Sequence, residues 1–294
     1  MTGLSSMFCK WWLKHLGLVW FVMVGASAQA ANYAAQIEES NWQLDASIFT
    51  CQLRQNIPLF GEGVFEHEAG EDVYFLLQPT EKEHFKDGAF LVSEAPPWRP
   101  DINPRSVGLV NSHAQGELKV NPTYTREMLA ALHSGLMPTF TAEGWYGTPQ
   151  PLRVSLSAVN FREVYVEYVN CVSQLLPVNY RQVARTAVLF PPAEFRLSDT
   201  TKARLDLIAL YVQNDPKVTA IYVDGHSDSG GRRLANRDLS QKRAEMVTEY
   251  LSQKGINTEM ITTRFHGERY PVVPNNTAEN RARNRRVTIR LEKL

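Results

Sequence analysis

Beyond Pro177 the hydrophobic pattern switches repeatedly between two periods, and this alternation constrains the fold more than any other feature of the 294-residue chain. Ala184 to Phe190 has strand character. Ser198 or Asp199 then caps a helix through Asn214, with Ala203, Leu205, Ile208, Ala209 and Val212 on its apolar side. Val218 to Val223 is an apolar strand. Ser240 is the expected N-cap of the next helix, with Leu239 and Ala244 at the staple positions and a stop at Lys254-Gly255. A strand at Ile261 to Phe265, a short helix at Thr277 to Asn284 and a last strand at Val287 to Leu291 complete the series. The order βαβαβαβ predicts helices on one face of a mixed sheet.

Within this region one stretch carries chemistry. Tyr222 to Val247 ends a strand, opens into a polar loop relaxed by Gly225, Gly230 and Gly231, and continues into a helix. Loops of this kind commonly bind ligands. Asp228 is expected to project from the loop, with Arg243 on the first turn of the helix that follows. A carboxylate and a guanidinium so placed can form a plain salt bridge. They can also grip a ligand bearing both an amine and a carboxylate, the amine on Asp228 and the carboxylate on Arg243. Spacing leaves both open.

The stretch from 31 to 177 has a different texture. Short alternating segments at Ser47 to Leu53, Gly63 to Glu68, Val73 to Leu77, Ala89 to Val92 and Leu152 to Phe161 predict strands separated by turns. Ala95 to Pro100 is a stiff proline connector. Phe161, Val164, Tyr165, Tyr168, Val169, Val172 and Leu176 recur at helical spacing, and Pro177 ends that helix. A mostly antiparallel β domain closed by one helix is expected here. The whole chain is then α+β with two domains, 31–177 and 178–294. The charge balance supports a boundary near Pro177: nine Lys/Arg against eighteen Asp/Glu before it, twenty against thirteen after it.

Residues 1–30 have the pattern of a cleavable export signal: Lys10 and Lys14, an apolar run from Leu16 to Ala26, and Ala28-Gln29-Ala30. Export leaves Cys51 and Cys171, which in an oxidising compartment are expected to pair, with two buried free thiols as the alternative. The pairing would fasten the helix carrying Cys171 to the strand carrying Cys51. His67, His84, His113 and His133 have no spacing that suggests a metal site, and no nucleophile elbow or zinc-protease motif is present. No metal, cofactor or catalytic residue is expected. Trp98, Trp145 and Tyr146, with the acidic excess, could form a protein-binding face or simply a solvated surface.

Several motifs in the second half occur together and in order: Tyr222 to Asp228, Asn236, Leu239 to Ala244, Gly267 to Pro271 and Asn280 to Val287. Together they resemble the OmpA-like peptidoglycan-binding domain. The resemblance implies that Asp228 and Arg243 hold the amine and carboxylate of diaminopimelate, with Asn236 lining the same pocket. Ser227 stands where the family usually has Thr, and Pro191 follows Phe190 where many members have Asp. In the first half, Cys51 to Leu53, Ile57 to Gly63, Phe65, Ala69-Gly70 and Cys171 are similar to the MotY family of sodium-driven polar flagellar motors. That similarity implies a periplasmic, non-enzymatic T-ring component that docks on the flagellar basal body with a MotX-like partner. It also implies support for stator proteins of the PomA/PomB type, with the C-terminal domain on the wall.

Two other functions compete. The chain could anchor a different envelope machine, for secretion or adhesion, to peptidoglycan. It could also be a wall hydrolase, because His226, Ser227 and Asp228 are consecutive. Adjacent positions point in different directions, however, and a triad needs side chains converging from separate elements. Arg281, Arg283, Arg285 and Arg286 form a basic run, but an exported protein rarely meets nucleic acid. These arginines are expected to fasten the last helix to the sheet, some of them facing the wall polymer.

Overall fold

The computed structural model describes residues 32–81, 85, 87–113, 117–142 and 151–294. The export signal, His84, Trp145 and Tyr146 lie outside the described residues.

The first half contains β1 (Asn32–Ala34), β2 (Trp42–Ala46), β3 (Thr50–Ile57), β4 (Gly61–Glu68), β5 (Tyr74–Pro79), β6 (Ala89–Glu94), β7 (Arg105–Val110) and β8 (Leu118–Val120). Helix α1 (Pro122–His133), β9 (Met137–Ala142), β10 (Leu152–Ser155) and α2 (Phe161–Ser173) follow. Two five-stranded sheets form, ordered β2-β3-β4-β5-β8 and β1-β10-β9-β6-β7. Every pairing is antiparallel except the parallel pair β1 and β10.

The register explains the core. Leu44, Leu53, Phe65, Phe75 and Val120 stand opposite one another across the first sheet, as period-two alternation requires. Phe75 stacks on Phe140 of the second sheet at 5.7 Å, which joins the two inner faces. Helix α2 lies on β2 and β3. Cys51 and Cys171 are bonded, with Cα atoms 6.1 Å apart, so the disulfide fastens that helix to β3 as the sequence suggested.

Sequence reasoning missed α1. Its signals were local: Asn121 caps the helix by accepting a hydrogen bond from the Tyr124 amide, and Pro122 occupies the first turn. The expected strand from Leu152 to Phe161 is shorter. It stops at Ser155, and Asn160 in the left-handed region turns the chain into α2.

The second half contains the short helix α3 (Tyr180–Val183), β11 (Arg185–Leu189), α4 (Asp199–Asn214), β12 (Val218–Gly225), α5 (Arg233–Gln253), β13 (Ile261–Phe265), α6 (Ala278–Asn284) and β14 (Arg286–Lys293). The sheet order is β11-β14-β12-β13. β12 and β13 are parallel while β14 runs antiparallel to both neighbours, so the sheet is mixed. Ser198 caps α4 by accepting from the Thr201 amide. Apolar residues of α4 and α5, including Leu205, Ile208, Ala244, Val247 and Leu251, share one core with Ile221, Val223, Val287 and Ile289 of the sheet.

One element boundary needs correction. Helix α5 begins at Arg233, so Ser240 lies in its middle and Arg243 in its third turn. Ser240 donates to the Arg237 carbonyl and accepts from the Gly267 amide, so its hydroxyl fixes a tertiary contact instead of capping. The segment from Arg233 to Leu239 holds Arg, Leu and Ala, good helix formers that extend the helix back past Ser240.

The two halves meet directly. Phe49, in the turn between β2 and β3, packs its ring 5.6 Å from that of Tyr211 on α4. Arg181 pairs with Glu68, and Asn179 and Gln182 donate to Glu71.

Candidate functional site

The site forms where β12 ends against α5. A Cβ on Gly225 would lie 2.1 Å from the Ser240 carbonyl oxygen, so only glycine lets the helix approach the strand this closely. The chain then runs through His226, Ser227 and Asp228. Its backbone is held by hydrogen bonds from the His226 amide to Arg286 and from the Ser227 amide to Gly267. Asp228 Oδ1 accepts from the Gly230 amide at 3.0 Å, a local turn that fixes the carboxylate. Gly231, at φ 93°, redirects the chain into α5.

Asp228 does not pair with Arg243. Its Oδ2 accepts from Arg285 Nη1 at 2.9 Å, and the two side chains retain only 16% and 12% of their exposure. Arg285 also donates through Nε to the Phe190 carbonyl. The sequence places Arg285 in a run of arginines expected to fasten the last helix to the sheet, some of them facing the wall polymer. Nothing in periodicity distinguishes it, because its partner lies far away in the chain.

Arg243 sits beneath this pair and is fully buried. Nε donates to the Glu194 carbonyl at 2.7 Å, Nη2 to the Pro191 carbonyl at 2.9 Å and Nη1 to the His226 carbonyl at 3.3 Å. The guanidinium also covers the Phe190 ring at 5.1 Å. Burial, and then repulsion from Arg285, push its pKa down to about 10, against the opposing pull of Asp228. It therefore stays charged at neutral pH. The exposed turn from Pro191 to Glu194 is the wall that closes over it. Pro191, a departure from the acidic residue usual in OmpA-like domains, contributes its carbonyl to this seal.

Asn236, on the first turn of α5, is buried and donates to Glu268 Oε2 at 2.7 Å. Its Oδ1 faces Gly231, so it stands between the Asp228 loop and the loop after β13. The residues singled out in the sequence are thus gathered at one end of the sheet, with Arg285 added. Two guanidiniums and one carboxylate give the site a positive balance and separate positions for an ammonium and a carboxylate.

His226 belongs to the floor. Its ring stacks on His266 at 5.0 Å, and His266 Nε2 lies 2.7 Å from Asp224 Oδ1. Arg264 holds both oxygens of Asp224. Burial, then Arg286 and His266, push the His226 pKa down to about 4. Among the described residues, no hydrogen bond joins the side chains of His226, Ser227 and Asp228. A nucleophile, a base and an orienting acid are not assembled here.

Comparisons with known proteins divide the chain in the same way. A family model described as the MotY N-terminal domain matches residues 33–177, and one described as the OmpA family matches residues 189–285. The sodium-type flagellar protein MotY of Vibrio parahaemolyticus is 28% identical over 95% of this chain and 97% of its own length. The probable lipoprotein YiaD of Escherichia coli is 36% identical over 36% of this chain, which spans about half of that relative (48%). Among solved structures, the C-terminal domain of Helicobacter pylori MotB matches 37% of the chain and 85% of its own at 27% identity, with a TM-score of 0.35.

Proposed function

Because the chain is a MotY homologue, a MotY N-terminal domain joined to an OmpA-family domain, we propose that it anchors a flagellar motor to peptidoglycan. Residues 1–30 direct export to the periplasm. Residues 31–177 dock on the basal body beside a MotX-like partner, and residues 178–294 hold the wall so that stator units of the PomA/PomB type can assemble. The protein acts by binding and catalyses no reaction.

The cluster of Asp228, Arg285, Arg243 and Asn236 at the end of β12 is the observation that carries the anchoring. The ammonium of diaminopimelate lies on Asp228, whose carboxylate keeps lone pairs free beyond its bonds to Arg285 and Gly230. The carboxylate of the ligand lies on Arg243, and Asn236 lines the pocket. To reach Arg243 the ligand must replace the carbonyls of Pro191 and Glu194, while Arg285 offers a more open donor beside it.

Sedimentation with purified sacculi tests the pocket. The wild-type protein is expected to pellet, and Asp228→Ala to stay in solution, folded but with a lowered thermal midpoint because Arg285 and the Gly230 amide lose their acceptor. Loss of one buried charged contact costs about 2–5 kcal/mol, enough to erase weak binding. Arg243→Ala should also stay in solution, with lowered stability because three carbonyls lose their donor. Full sedimentation of both variants overturns the pocket. A deletion strain tests the motor role: flagella without swimming are expected, and normal swimming refutes it.

A further inference from the structure

A second groove opens on the far side of Asn236, between the start of α5 and the loop after β13. It is lined by Arg233, Leu234 and Arg237 from the helix and by His266, Glu268 and Arg269 from the loop, with Tyr270 at its rim. Three guanidiniums converge on it, and among the described residues none of them forms an ion pair with a carboxylate. Arg237 lies over the Phe265 ring at 5.3 Å, which holds its charge at the groove. Glu268, the acidic residue in the lining, accepts from Asn236. Leu234 and Tyr270 are 72% and 58% exposed, so the rim is apolar and aromatic while the interior is cationic.

Three exposed guanidiniums with no carboxylate partner on one concave surface make a positively charged patch that attracts an anionic ligand. We propose that this groove is a second subsite for the wall polymer, binding carboxylates of the peptide stem whose diaminopimelate end occupies the Asp228 pocket. The inference rests on the wall-binding function proposed above. Continuity favours this occupant: Asn236 Oδ1 lies 3.9 Å from where a Cβ of Gly231 would stand, beside the Asp228 loop, while its amide nitrogen donates to Glu268 of the groove. A ligand passing Asn236 therefore enters a field of positive charge. The subsite extends recognition from one amino-acid end to a longer segment, and Tyr270 and Leu234 offer the sugar or methyl faces of that segment an apolar bed.

The test is the triple variant Arg233→Ser, Arg237→Ser, Arg269→Ser in the full-length protein. Three probes are used: purified sacculi, a soluble disaccharide-tripeptide, and free meso-diaminopimelate. Exposed charge pairs are individually weak, so the expected result is about tenfold weaker binding of sacculi and disaccharide-tripeptide. Binding of free diaminopimelate and the thermal midpoint should stay at wild-type values, and the salt dependence of sacculus binding should flatten. Arg237→Glu alone should weaken the disaccharide-tripeptide further than Arg237→Ser. Wild-type affinity of the triple variant for sacculi and disaccharide-tripeptide overturns the subsite. If the wild-type protein binds none of the three probes, the wall-binding function itself fails, a result distinct from failure of the groove.

Discussion

Arg243 and His226 show how much of this site is set by burial of single residues. Arg243 is covered by the Pro191–Glu194 backbone and His226 by the His266 ring, and both have pKa values pushed down because the charged form is poorly solvated. For Arg243 the shift leaves the charge intact. For His226 it fixes the neutral form, since the folded pKa of about 4 lies below the unfolded value near 6.5. Between these values the unfolded chain binds more protons than the folded one, so stability falls as pH drops from 6.5 towards 4. A full shift of this size corresponds to about 3 kcal/mol. Thermal unfolding measured across this range should show the loss, and His226→Gln should flatten it. An unchanged pH profile in that variant would place the titration elsewhere.

At the scale of elements, local signals were readable where caps and periodicity agree. Ser198 caps α4 through its hydroxyl, as the sequence suggests, and Thr277, expected inside the last helix, caps α6 in the same way. Ser240 misled because a serine followed by an apolar period looks like a cap, while its hydroxyl is taken by Gly267 on another loop. Helix α2 gives the clearest element-scale prediction. It rests on β2 and β3 and is bonded to β3 through Cys171 and Cys51, across a sequence separation of 120. Closing a loop of this order stabilises the folded state by up to about 4.7 kcal/mol in the chain-entropy model. Cys51→Ser with Cys171→Ser should therefore lower the urea midpoint sharply, and reductant should lower the wild-type midpoint to the same level. A double variant as stable as the oxidised protein would show that packing alone holds α2.

The whole molecule is joined by an aromatic and ionic contact between its halves. Lys293, at the end of β14, pairs with Asp215 at 2.7 Å and donates to the Tyr211 hydroxyl. Its ammonium faces the rings of Phe49, Tyr180 and Tyr211 at 5.1 to 6.0 Å. Phe49 is the contribution of the first half to this cage. The opposite charge balance of the two halves meets here as well, through Arg181 and Glu68. Phe49→Ala should weaken this joint by about 2 kcal/mol. The expected signature is faster proteolysis in the connector between α2 and α3 and separation of one thermal transition into two. A single unchanged transition would show that the joint contributes little.

The sequence alone determined the order of elements in the second half, the strand-rich character of the first, the cysteine pair, and the positions Asp228, Asn236 and Arg243 as a group. The elements follow from period and capping chemistry, which act within a few residues, and the cysteine pair from the export pattern; Asp228, Asn236 and Arg243 are grouped by the motifs that resemble the OmpA-like domain. Tertiary structure decided which charges meet. Arg285 reaches Asp228 because β14 lies beside β12 in antiparallel register, which brings residues 57 positions apart into one pocket. Arg243 is sealed because the Pro191–Glu194 turn lies over the third turn of α5. The groove beside Asn236 exists because the loop after β13 passes the first turns of α5. None of these contacts leaves a local trace, since each depends on how elements distant in the chain pack against one another.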